Sequence, residues 1–137
     1  MKAIRFLLAA ILSAWAGGFT FLFAMTLYEN DGAPMSIMLE PLGWLIAIMA
    51  GFAPALIGGI VMTAASGVSA KLRAPASWAV AGAIGGVAAM LMLPTGVKYE
   101  LPLPVLVASA ISGLAAALVF RAVVQLPPLE PRIRIGD

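Results

Sequence analysis

Neither cysteine nor histidine occurs in this 137-residue chain. Their absence removes disulfides, thiol chemistry, a haem axial histidine, a histidine general base and the usual zinc ligands together. Charge is scarce as well: 10% of the residues are charged and 63% are hydrophobic, whereas an average soluble domain has about 25% and about 45–50%. No HExxH pair, P-loop or pair of carboxylates within an apolar segment is present, so nucleophilic, metal-assisted and phosphoryl-transfer chemistry have no carrier here. The chain is read as non-enzymatic, with no cofactor and no metal.

What is present is four apolar runs without a single charge, Phe6 to Tyr28, Leu42 to Ala65, Ala76 to Leu93 and Leu103 to Phe120. A helix needs roughly 20 predominantly apolar residues, and no fewer than about 17, to cross the hydrocarbon of a bilayer. Each run meets that length. Together they predict an all-α fold: a polytopic membrane four-helix bundle made of two helical hairpins, one domain over residues 1–137, with a tail from 121 to 137. The absence of ionisable side chains from the runs argues against proton relays, ion-coupled carriers and voltage sensors, which normally keep one inside the membrane.

The charges set an orientation. Lys2 and Arg5 precede the first run, Lys71 and Arg73 separate the second from the third, and Arg121, Arg132 and Arg134 follow the fourth. The alternate side carries Glu29, Asp31, Glu40, Lys98 and Glu100. Seven basic residues thus face one compartment and one faces the other, which by the positive-inside rule makes both termini cytoplasmic. A plasma membrane, of the bacterial inner-membrane kind, is the expected location. The basic groups flank spans, so they report orientation rather than a nucleic-acid partner. Tyr28, Trp44 and Tyr99 are expected near the outer interface and Trp78 near the inner one, where amphipathic rings are favoured.

At 100° per residue each run separates large from small side chains. In the third, Val80, Ile84, Val87 and Leu91 oppose Gly82, Gly85, Gly86 and Ala89, with a GxxxG spacing from Gly82 to Gly86. The fourth sets Val107, Ile111, Leu114 and Leu118 against Ser109, Ser112, Gly113 and Ala116. The first sets Leu8, Leu12, Trp15, Phe19 and Leu22 against Ala10, Ser13, Ala14 and Gly17, and the second sets Leu45, Met49, Phe52 and Leu56 against Ala47, Gly51, Pro54, Ala55 and Gly58. Lipid tails are as apolar as leucine, so membrane helices associate through close van der Waals contact and occasional hydrogen bonds, which small residues permit. The small faces are expected to turn toward protein, within the bundle or, in the sharper version, across a homo-oligomer contact at Gly82 and Gly86. Ser13, Ser109 and Ser112 are candidates for bonds across helices, worth on average about 0.6 kcal/mol each.

Pro54 stands near the middle of the second run, where it removes one intrahelical hydrogen bond and frees the Ala50 carbonyl. A kink is expected there. The acidic first loop, Glu29 to Pro41, also holds an apolar patch, Met35, Ile37, Met38 and Leu39, suited to the outer interface; its three carboxylates are too few for calcium, which wants six to eight oxygens. After Arg121 the prolines at 127, 128 and 131 end any helix, and the terminus is read as unstructured, with polyproline or strand-addition docking as the sharper version.

Two functions fit. The first is a non-catalytic accessory or assembly subunit of a membrane complex, or a homo-oligomer, whose partners are membrane lipid and other membrane subunits or itself. The alternative is a small transporter or channel for a neutral or lipid-like substrate. Before either, the first run must be retained: its basic start and Ala14-Trp15-Ala16 resemble a signal peptide and cleavage site, but 23 apolar residues exceed the about 7–15 of a signal core. Intact mass checks this. The full chain is expected, and loss of the segment through Ala16 would leave three spans.

Overall fold

The computed structural model describes residues 2–29, 41–92 and 102–128, and these are helical with no strand among them. Four long helices follow in order: α1 (Lys2–Glu29), α2 (Pro41–Val68), α3 (Pro75–Met92) and α4 (Leu103–Val123). Each contains a stretch long and apolar enough to cross a membrane. Proline marks the starts. Pro41 and Pro75 are the first residues of α2 and α3, and Pro102 caps α4 with Pro104 in its first turn. A proline there costs little, because the first-turn N–H groups have no intrahelical partner and the fixed φ is already helical.

Between α2 and α3 the chain makes one 3-10 turn, Ala70–Arg73, flanked by Ser69 and Ala74 in extended conformation. Ala74 is extended because Pro75 follows, and a residue before proline is pushed out of the α region. The helices overrun the apolar runs at several ends, reaching back to Lys2 in α1 and on to Val68 in α2 and Val123 in α4. Helical geometry needs only backbone pairing, so it continues past the last apolar residue until a breaker intervenes. For α4 that point is Val124, extended at φ −74° and ψ 138°. Helix α2 runs through Pro54 without interruption.

Helix α4 lies between α1 and α3, and α1 lies between α2 and α4, while α2 meets α3 and α4 only sparsely. The contacts are made by small residues. On α3, Gly82 and Gly86 face Gly113 and Ser109 of α4 so closely that a Cβ at Gly82, Gly86 or Gly113 would overlap the opposing backbone. On α1, a Cβ at Gly17 would stand 3.1 Å from the Ala116 Cβ of α4, and one at Gly51 of α2 would stand 3.0 Å from the Ala14 carbonyl oxygen of α1. Ala10, Ser13 and Ala14 are fully buried. Large side chains point the other way, with Val80, Ile84 and Leu91 61–66% exposed and Leu8, Leu12, Leu45, Met49, Val107 and Ile111 also exposed. Val87, expected on the same outer stripe, is half-buried, and Phe52 and Leu56, expected outward on the second run, instead pack partly buried against the core near Phe120. This distribution inverts that of a water-soluble protein, whose large apolar residues are the buried ones.

The loop of residues 30–40, residues 93–101 and the tail from 129 lie outside the described residues, and with them the expected apolar patch, Tyr99, Asp31, Glu40 and the Arg132/Arg134 pair, whereas Glu29 ends α1. The first part of the tail is ordered by packing. Val124 is buried, Leu126 is partly buried against the core, and the Pro127 ring lies 3.3 Å from where a Gly67 Cβ would be.

The Gly82 contact leaves no room for a side chain. Gly82→Leu is expected to lower stability by about 1–3 kcal/mol, the usual cost of overpacking, read as an earlier unfolding midpoint in detergent titration. An unchanged midpoint would mean that α3 and α4 do not meet at this residue.

Candidate functional site

At one end the four helices are drawn together by aromatic rings. Trp78, in the first turn of α3, is 1% exposed and stacks on Phe120, near the end of α4, with ring centroids 6.0 Å apart and planes 18° apart. Phe6 of α1 meets the Phe120 ring edge-on at 5.1 Å. Gly59 of α2 lies directly beneath that ring, where a Cβ would overlap it. Each helix therefore contributes one element to the plug.

Polar groups hold the plug in place. Side chains donate to carbonyls of the 3-10 turn, of which Lys71 also accepts the Ala74 N–H at 3.3 Å. The Leu72 carbonyl accepts from Trp78 Nε1 at 3.0 Å and from Ser66 Oγ at 3.1 Å, Lys71 accepts from Ser77 Oγ at 2.9 Å, and Arg73 accepts from Arg121 Nε at 3.1 Å. Trp78 is buried because its N–H has an acceptor inside the fold and its ring has Phe120. Toward the other end Trp15 stacks on Phe19 and meets Trp44 edge-on at 5.8 Å.

Above the plug, the sparse contact of α2 with α3 and α4 leaves a cavity of about 410 Å³ between all four helices. Its volume falls in the roughly 300–1,000 Å³ range of ligand sites. The walls are mainly glycine, alanine and large apolar groups, with Phe21, Leu22, Met62, Trp78 and Phe120 supplying the bulk. Of the small-face residues expected to pack, Ser13, Ala14, Gly17, Gly51, Gly82, Gly86, Ser109, Ser112 and Gly113 sit at helix contacts and also edge the cavity. Ala10 packs at the plug, with Ala9. Pro54, Ala55, Gly58 and Gly85 line the cavity itself, and a Cβ at Gly58 or Gly85 would meet nothing within 4 Å.

Three hydroxyls border this space and each spends its proton on a backbone carbonyl. Ser13 Oγ donates to Ala10 at 3.0 Å and Ser109 Oγ to Val105 at 2.8 Å, both within their own helices, whereas Ser112 Oγ donates to Gly17 across the α1–α4 contact at 2.6 Å. Of the three serines considered for cross-helix bonding, one makes it. No base stands beside any of these hydroxyls among the described residues, and no cluster of three potential metal ligands occurs there. The cavity is equipped to bind by shape and apolar contact.

A second, more open hollow of about 570 Å³ lies outside the plug, where Val124 to Pro128 cross Phe6 of α1 and Thr63 of α2. Thr63 Oγ1 is buried there without a hydrogen-bond partner among the described residues.

The plug was not readable from sequence, since Phe6, Gly59, Trp78 and Phe120 share no spacing. The one signal was the doubled glycine at 58 and 59, the second of which admits the Phe120 ring. Trp78→Ala should cost about 3–5 kcal/mol, as large-to-small changes of buried aromatics do, and Ser112→Ala about 0.6 kcal/mol. Equal midpoints for the two variants in detergent unfolding would contradict the plug. Comparison of the chain with protein-family models, with curated proteins and with solved structures finds no match, so its function has to be argued from this cavity.

Proposed function

We propose that this chain is a non-catalytic multi-pass membrane protein that holds a neutral, lipid-like molecule in the cavity between its helices, as a small transporter or carrier of such a ligand. Four helices of spanning length, with their bulk turned outward, support membrane residence. The basic residues at the plugged end support a cytoplasmic location for that end and for both termini, with a bacterial inner membrane as the setting. The observation that carries the reading is the cavity itself. Helices that associate without a hydrophobic drive gain from close contact, yet Ala55, Gly58 and Gly85 border open space instead of a neighbouring helix.

The accessory-subunit and homo-oligomer reading draws on the same small faces. Gly82 and Gly86 are already occupied by α4, so this pair is closed to a second copy. A wide aqueous channel is disfavoured by walls whose few hydroxyls are already committed to backbone carbonyls.

Spin labels at Gly58→Cys and Gly85→Cys test this directly, in a chain without native cysteine. Both labels, in reconstituted protein, are expected to relax strongly with oxygen, which partitions into apolar space, and weakly with a water-soluble nickel chelate. Strong relaxation by the chelate would indicate a hydrated channel. Protection from both would indicate a dry protein contact and defeat the proposal.

A further inference from the structure

The cavity's length constrains what fits it. Its wall runs from Gly51 to Met62 on α2, from Trp78 to Ala89 on α3 and from Ser109 to Phe120 on α4, eleven residue steps in each case. At about 1.5 Å per residue that is roughly 16 Å of helix. A spanning helix needs about 30 Å of length, so neither a partner's helix nor one from a second copy can lie along a slot of about half that length closed at one end by Trp78 and Phe120. An extended hydrocarbon chain can.

The two ends of the slot and its side are unlike. The end toward the 3-10 turn is stopped by Trp78 and Phe120, with Phe6 behind them and Gly59 against the Phe120 ring. Along the side between α2 and α3 contact is sparse, and both Gly58 and Gly85 face open space. Inside, Ser13, Ser109 and Ser112 have given their protons to carbonyls. A polar headgroup would find no donor there, and burying it unpaired is unfavourable, so it has to stay at the far end or outside.

Resting on the reading of the cavity as an intramembrane binding site, we infer that it takes one acyl chain of a single-chain lipid, admitted sideways between α2 and α3, with its methyl end against Trp78 and Phe120. The headgroup then lies toward Phe21, Leu22 and Ala89. With the plugged end cytoplasmic, this lipid belongs to the outer leaflet. The glycines at 58 and 85 keep the side passage open, and the aromatic stack sets how far the chain enters.

Trp78 reports the outcome. In a Trp15→Phe/Trp44→Phe protein it is the sole remaining tryptophan of three, and its fluorescence can be titrated with lysophosphatidylcholines brominated near the headgroup, at mid-chain or near the methyl end. Saturable quenching at one equivalent, several-fold stronger for methyl-end bromines, is expected. Strongest quenching by headgroup-end bromines would overturn the orientation, and saturation at two equivalents would overturn the single chain. Gly85→Leu, placed where space is open, is expected to abolish saturable quenching without shifting the unfolding midpoint; quenching that survives it would overturn entry between α2 and α3. Absence of saturable quenching with all three probes overturns the acyl ligand, and the spin-label accessibilities then tell whether the broader reading falls with it.

Discussion

The arrangement depends on how closely α4 approaches its two neighbours. Gly113 meets Gly82 and Gly86 of α3 on one side, and Ser112 and Ala116 meet Gly17 of α1 on another. At these points backbone faces backbone, so the dispersion contacts are dense and the side chains lose almost no rotamer freedom in making them. One hydrogen bond, Ser112 to the Gly17 carbonyl, registers α4 against α1. Outside the aromatic plug, large residues such as Val80, Ile84, Met49 and Val107 are exposed on the outer surface.

That economy of contact has a geometric consequence. Small residues are distributed over faces of all four helices, but α2 is seated mainly on α1, through Gly51 and Ala14. Its contacts with α3 and α4 are sparse, and at the plugged end Gly59 brings it against the Phe120 ring. The rings fasten one end, and the space above them lies between helices that meet only sparsely. The 3-10 turn takes part in this. Its unpaired carbonyls draw in Trp78, Ser66 and Arg121 and so fasten the loop to both flanking helices and to α4.

Helix existence was legible because composition and length suffice for it: four charge-free runs, the last three introduced by prolines at 41, 75 and 102. The small faces were legible through the 3.6-residue period, which brings Gly82, Gly86 and their counterparts onto one side regardless of what they touch. Their individual roles were not. Gly82 and Gly58 look alike in the chain, yet one is pressed against a backbone and the other faces open space. Ser13, Ser109 and Ser112 look alike too, and only Ser112 finds a carbonyl on another helix. Which member of a face makes contact depends on where the helix axes cross, and axis crossing is a property of pairs.

The amino-acid sequence by itself determined that this protein is four long apolar helices with bulk on one face and glycine, alanine and serine on the other, since helical periodicity and the scarcity of charge act locally. Only the tertiary structure decided that Trp78 turns inward, that α4 rather than α2 takes the Gly82–Gly86 face, and that the remaining small residues enclose a slot. Those outcomes rest on contacts between residues as distant as Phe6 and Phe120, and on carbonyls left unpaired by a turn, neither of which a periodicity can express.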